Sequence, residues 1–286
     1  MAWFTTADGC RIHYELEGEG PLLALTPGGR QDMGSVGSLA FALAKGVRVL
    51  SWDRRNTGVS ELWLDGASEQ QTWADDLADL IGHLGLGPAW LAGGSAGCRV
   101  STLTATRGPE AVRGLIVWST SGGPYGCQHL GYTYHVPYIM AAEHGGMAEV
   151  AKTPFFRDRI AANPDNRARL LDADPAAFIA TMKRWNESFY HRPEQSLAGV
   201  DDTALRRLKI PTLIFEGGDD IHPASVSQAM ARLIPGAQHV PSAWPHAEWM
   251  DRFTGRSADS IFELYPRMAP AILAFVARHE GRAAPQ

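Results

Sequence analysis

The chain has 286 residues, 45% hydrophobic and 20% charged, and its 26 Lys and Arg against 31 Asp and Glu give a formal net charge of −5. A chain this long buries roughly 75% of its unfolded surface, so neither disulfides nor a metal are needed to fold it. The acidic balance and the lack of a basic run exclude a nucleic-acid footprint. Cys10, Cys98 and Cys127 make neither a zinc spacing nor an even disulfide framework. The first residues lack a basic stretch followed by an apolar run, and no segment approaches the roughly 18 apolar residues of a membrane-spanning helix. The expectation is a cytoplasmic protein without a cofactor or metal, acting on a small molecule, with no nucleic-acid or membrane partner; a homodimer stays open.

In chain order, Arg11 to Glu17 alternates as a strand does, and Leu22-Leu-Ala-Leu is a short apolar run halted by Thr26-Pro-Gly-Gly. Val47 to Trp52 is another such run, halted by Asp53-Arg-Arg-Asn-Thr-Gly. Runs of this length bounded by turn residues suit buried strands of a parallel sheet. The spacing then predicts a helix over Thr72–Leu84, with Trp73, Leu77, Leu80, Ile81 and Leu84 on one face, a Thr72–Asp75 capping box, and Gly85 as its stop. Ala89-Trp-Leu-Ala, a glycine-rich turn, a helix ending at Gly108-Pro109 and the strand Leu115-Ile-Val-Trp continue the alternation. Strand and helix alternating in this way argue an α/β fold with a doubly wound, mostly parallel sheet.

The texture changes from about Tyr125 to Asp202, which is rich in Tyr, His, Met, Arg and Ala, with a helix expected over Ala176–Phe189 and no apolar strand run. Strand texture returns at Ile210-Pro-Thr-Leu-Ile-Phe. A frayed tail is expected from Gly281 to Gln286.

Gly93-Gly-Ser95-Ala-Gly97 fits G-x-S-x-G between a predicted strand and a predicted helix, the context of a nucleophile elbow. The N–H of Ala96 would open that helix and could stabilise an oxyanion. The motif alone leaves a glycine-rich loop with a spectator serine as an alternative. A serine nucleophile needs a base, and the base an orienting carboxylate; in the topology of a nucleophile elbow they follow the serine in the order acid, then histidine. Phe215-Glu-Gly-Gly-Asp219-Asp220-Ile-His-Pro223 offers the acid at a strand end, and Trp244-Pro-His246-Ala-Glu offers the histidine.

With these residues, and with Asp53-Arg-Arg-Asn-Thr-Gly58-Val-Ser60 resembling a D-x-R-G-x-G-x-S stretch, the sequence resembles the α/β-hydrolase superfamily. The resemblance covers nearly the whole chain outside the stretch from about Tyr125 to Asp202, which reads as a helical insertion in one α/β core. It implies an α/β-hydrolase fold of about eight strands, with the core in residues 1–122 and 205–286 and a helical lid in residues 123–204. Carried over residue by residue, it makes Ser95 the nucleophile, His246 the base and Asp220 the acid, three residues after Gly217, with Asp219 as the fallback. His239, in a strand-like Gln-His-Val, reads as structural. Thr26-Pro27-Gly28 stands where the family has H-G-x, which puts the second oxyanion N–H, beside that of Ala96, at Gly28, with Gly29 as the other candidate.

Gly29 and Arg30 are candidate substrate-binding residues, Arg30 as a partner for a substrate carboxylate or equally as a surface arginine. Cys98 reads as a reactive thiol or, more commonly, a small buried one. The implied activity is hydrolysis of a small ester or lactone through an acyl-enzyme. The alternatives are a carbon–carbon (diketone) hydrolase, a proline-iminopeptidase-like amidase, and a ligand-sensing receptor that keeps the triad.

Overall fold

A computed structural model describes residues 2–281, so the tail expected at 281–286 lies, beyond Gly281, outside the described residues. Eight strands form one sheet: β1 (Ala2–Thr5), β2 (Arg11–Glu17), β3 (Leu22–Thr26), β4 (Arg48–Trp52), β5 (Ala89–Gly94), β6 (Val112–Trp118), β7 (Thr212–Phe215) and β8 (Gln238–Val240). Their order is β1-β2-β4-β3-β5-β6-β7-β8. β1 pairs antiparallel with β2 and β2 antiparallel with β4, while the pairings from β4 to β8 are parallel. The doubly wound sheet is therefore present. β1, only four residues long at the sheet edge, has no counterpart in the sequence reading.

Alternation along β3 shows how the sheet is covered. Leu22 and Ala24 join one apolar cluster, with Trp73, Leu77 and Val100, whereas Leu23 and Leu25 join another, with Leu39, Leu43 and Ile272. A strand's period of two sends successive side chains to opposite faces, so both faces of a buried parallel sheet must be apolar. The helices supply that cover: α1 (Gly37–Leu43), α2 (Glu69–Leu84) and α3 (Ala96–Arg107) in the first half. The helix expected from Thr72 begins three residues earlier, because the Ser68 side chain caps it by accepting from the Gln71 N–H. It ends where predicted, at Gly85 in the left-handed conformation (φ 62°).

Between β6 and β7 the chain runs through α4 (Gly123–Val150), α5 (Pro154–Ala162), α6 (Asn166–Leu171), α7 (Pro175–Asn186) and α8 (Asp202–Arg207). α4 carries non-helical backbone at Gly145 and Gly146. Ile139, Val150, Phe156, Phe178, Met182 and Trp185 give this segment an apolar cluster of its own, joined by Leu62 from the loop after β4. Asn166 fixes it to that loop, accepting from the Leu62 N–H at 2.8 Å and donating to the Ser60 carbonyl at 3.2 Å. α9 (Ala224–Leu233), α10 (His246–Phe253) and α11 (Ala269–His279) complete the fold. No helix among the described residues is long and apolar enough to cross a membrane.

Candidate active site

Ser95 sits between the end of β5 and the first residue of α3, with φ 54° and ψ −115°, a conformation sterically strained for a residue with a Cβ. Its N–H donates to the carbonyls of Trp118 and Ser119, which locks the turn to the end of β6. The glycines around it are sterically required. A Cβ on Gly94 would overlap the Trp118 ring, and one on Gly97 the carbonyls of Thr26 and Pro27. The G-x-S-x-G stretch is thus a sharp strand-to-helix turn that lifts the serine hydroxyl over the ends of β5 and β6.

Its partners differ from those the sequence reading assigned. His222 Nε2 lies 2.9 Å from Ser95 Oγ, and His222 Nδ1 lies 2.9 Å from both carboxylate oxygens of Asp219. Asp219 Oδ1 also accepts from the N–H groups of Ile221 and His222 at 2.9 and 2.8 Å, and Oδ2 accepts from Trp249 Nε1 at 2.9 Å. Burial raises the Asp219 pKa, but the His222 hydrogen bond and charge, its backbone N–H and the Trp249 indole outweigh burial and hold the carboxyl below its ordinary value. An ionised carboxylate only accepts, so the proton of neutral His222 belongs on Nδ1 and leaves Nε2 to accept from the serine hydroxyl.

The structure does not bring Asp220 or His246 to Ser95. Asp220 is exposed and makes no hydrogen bond among the described residues, because the turn aims Asp219 inward and its neighbour outward. His246 is the exposed first residue of α10. It lines a separate cavity of about 260 Å³ with Gly218, Asp219 and Trp249. From α10 it is Trp249, three residues on, that reaches the carboxylate. His222, which is not among the residues the sequence singles out, stands in the stretch that offers the acid. Its signal is the D-x-x-H spacing, which the His222 N–H to Asp219 carbonyl bond closes into a turn before Pro223, the residue preceding α9. His239 lies in β8, with Nε2 3.3 Å from Ser227 Oγ, away from this site.

A cavity of about 240 Å³ opens beside Ser95 and His222. One wall is apolar, from Trp249, Phe253, Ile261, Phe262 and Tyr265; α4 contributes Leu130, Thr133 and Tyr134, and Gly28 and Gly29 form the edge nearest the serine. The Gly28 carbonyl accepts from Gln31 N–H at 3.1 Å and from Arg54 Nη2 at 3.3 Å. In a trans peptide the carbonyl and the next N–H point opposite ways, so the N–H that faces away from Arg54 is that of Gly29. Cys98, immediately behind the elbow, is fully buried and pushed up to about 12 by burial, which keeps it a thiol.

Behind the glycine loop lies an unusual layer of charge. Arg54 and Arg99 are fully buried and Arg30 nearly so. Arg30, one of the two candidate substrate-binding residues, is therefore no surface arginine. It pairs with Glu69 at 2.7 Å and stacks against Tyr134, Tyr138 and Phe155. Arg54 lies 4.6 Å from the Trp73 ring and Arg99 4.6 Å from the Phe189 ring. Nε, Nη1 and Nη2 of Arg99, and Nε and Nη1 of Arg54, have no hydrogen-bond partner among the described residues. Burial lowers both guanidinium pKa values, that of Arg54 to about 10. A desolvated cation–π contact contributes about 2 kcal/mol, whereas burying an ion costs several kcal/mol, so stacking alone does not offset the burial of Arg99.

Comparison with known proteins agrees with this architecture. A family model described as "Alpha/beta hydrolase family" matches residues 24–265. The chain is 28% identical over 268 residues to the 2-hydroxymuconate semialdehyde hydrolase of Pseudomonas putida, covering 86% of this chain and 89% of that protein. It is 26% identical over 272 residues to the proline iminopeptidase of Lactobacillus delbrueckii subsp. bulgaricus, covering 85% and 91%. Among solved structures, a thermophilic esterase from Thermogutta terrifontis superposes with a TM-score of 0.62 at 24% identity, covering 96% of each chain, a likeness of fold.

Proposed function

This chain belongs to the alpha/beta hydrolase family, and from that premise we propose a serine hydrolase that cleaves a small ester or lactone through an acyl-enzyme on Ser95. The observation that carries the reading is the unbroken line of 2.9 Å contacts from Ser95 through His222 to Asp219. In this reading His222 Nε2 takes the hydroxyl proton as Ser95 Oγ attacks the carbonyl carbon, and the imidazolium forms against an acceptor already ionised. The negative oxygen of the tetrahedral intermediate is met by the Ala96 N–H at the start of α3 and by the Gly29 N–H, in place of the Gly28 donor expected from the sequence. His222 then passes its proton to the leaving oxygen, and the same nitrogen activates the water that releases the acid.

The helical segment of residues 123–204 acts in this reading as a lid. Its α4 closes one side of the cavity with Leu130 and Tyr134 and restricts water there. The experiment is intact mass and peptide mapping after exposure to a small fluorophosphonate, followed by a panel of p-nitrophenyl esters and lactones. A single adduct on Ser95, lost in His222→Ala, together with ester turnover, is the expected result. A folded protein that neither labels nor turns over would overturn the proposal and leave a ligand-binding role.

A further inference from the structure

The reaction drawn above leaves Arg99 unused. Arg99 follows Ser95 by four residues, with its N–H donating to the Ser95 carbonyl at 3.3 Å, so the two lie on one face of α3 a turn apart. Helical side chains lean toward the helix N-terminus, which directs the guanidinium back toward the level of the serine. Phe189, in the turn that follows α7, covers it at 4.6 Å. Tyr134 and Glu69 are among the groups that act on both Arg99 and Arg54, and Glu69 is already engaged by Arg30. His135, which faces the charges of Arg30 and Arg99, is held neutral by its surroundings and adds no counter-charge. Tyr134 lines the cavity beside Ser95 and stacks on Arg30, which puts its ring between that cavity and Arg30.

We propose that Arg99, flanked by Arg30 and Arg54, is the receptor for a carboxylate carried by the substrate, so that the esters or lactones this site takes are anionic, with a carboxylate several bonds from the carbonyl that Ser95 attacks. The inference rests on the serine-hydrolase reading for the site but not for the binding. A planar guanidinium whose donors have no partner among the described residues matches a carboxylate in a way a lysine would not. Displacement of the Tyr134 ring admits it. Closure of Phe189 over the pair excludes water and ties recognition of the charge to closure over the ester.

The test compares mono-p-nitrophenyl glutarate with p-nitrophenyl pentanoate, equal in chain length and different in the terminal carboxylate. The expected result is a kcat/KM about tenfold or more higher for the glutarate ester, and a ratio that collapses about tenfold or more in Arg99→Met. Equal values in the unmutated protein overturn the proposal without any variant. If neither ester is cleaved, the hydrolase reading fails by itself, and calorimetric titration of Ser95→Ala with glutarate decides the binding. Binding that is lost when Arg99→Met is added upholds the carboxylate receptor, and no binding overturns it. A melting temperature raised by chloride but not by glutarate would assign the arginines to a resident inorganic anion and overturn it as well.

Discussion

The Trp249 indole donates to Asp219 Oδ2 at 2.9 Å, bringing α10 onto the acid at the end of β7. The element after β8 thus hands a hydrogen-bond donor to the carboxylate, while the histidine in contact with the serine comes from the carboxylate's own turn. Trp249→Phe removes one of the contacts that hold Asp219 below its ordinary value of 3.8. A carboxylate with a depressed pKa stabilises the fold above the unfolded value, and that stability is lost as pH falls through the folded one. The variant should lose about 1.5–3 kcal/mol above pH 3.8, as is usual for a bond to a charged group, and the gap to the unmutated protein should narrow below it. Urea melts at pH 7 and pH 3 measure both.

His222→Ala and Asp219→Asn should each lower kcat about 10³–10⁴-fold, because the serine loses its base or the imidazole its tautomer. His246→Ala and Asp220→Asn, which alter exposed side chains outside the hydrogen-bonded line, should stay within about threefold of the unmutated protein. Ester turnover of the four purified variants discriminates sharply. Loss of activity in His246→Ala with retention in His222→Ala would reverse the assignment.

These two histidines mark where the sequence stops being legible. The parallel strands are readable because each buries both faces, which leaves runs such as Leu22-Leu-Ala-Leu and Leu115-Ile-Val-Trp between turn residues. Ser95 is readable because its turn tolerates only glycine at Gly94 and Gly97. Nothing periodic distinguishes Asp219 from Asp220, since a turn aims neighbouring side chains by its own dihedrals. Chain order admits either histidine, the family resemblance points past His222 to His246, and only the fold of the 219–222 turn brings the nearer histidine onto the serine. Arg99 was unreadable for a similar reason, because burial of a helical arginine depends on Phe189, 90 positions away.

Arg54 Nη2 holds two carbonyls of the glycine loop, Gly28 at 3.3 Å and Gln31 at 3.1 Å. A lysine keeps the charge but presents a point donor in place of a rigid fork. Arg54→Lys should therefore let the loop shift and, on the proposed mechanism, move the Gly29 N–H off the developing oxyanion, lowering kcat about 10–100-fold with a smaller change in KM. Steady-state kinetics on a neutral ester separate the two parameters. A change confined to KM would show that Arg54 acts on binding and leaves the oxyanion donor in place.

His135 in α4 carries the clearest pH signature of the layer above the arginines. Burial, then the charges of Arg30 and Arg99, outweigh its hydrogen bond with the Gly131 carbonyl and hold its pKa at about 3, against 6.5 for an ordinary histidine. Between pH 6.5 and 3 the unfolded chain binds a proton at this position that the folded chain refuses. Stability must then fall as pH is lowered, at up to about 1.4 kcal/mol per pH unit from this one group, and the fall ends near pH 3 where both states are protonated. His135→Phe deletes the titration and keeps a flat ring for the contact with Phe189, whose centroid is 5.5 Å away. The variant's chemical-denaturation curves at pH 7, 5.5 and 4 should converge on those of the unmutated protein or exceed them as the pH drops. A parallel offset at all three values would mean that His135 takes its proton in the folded state as readily as in the unfolded one.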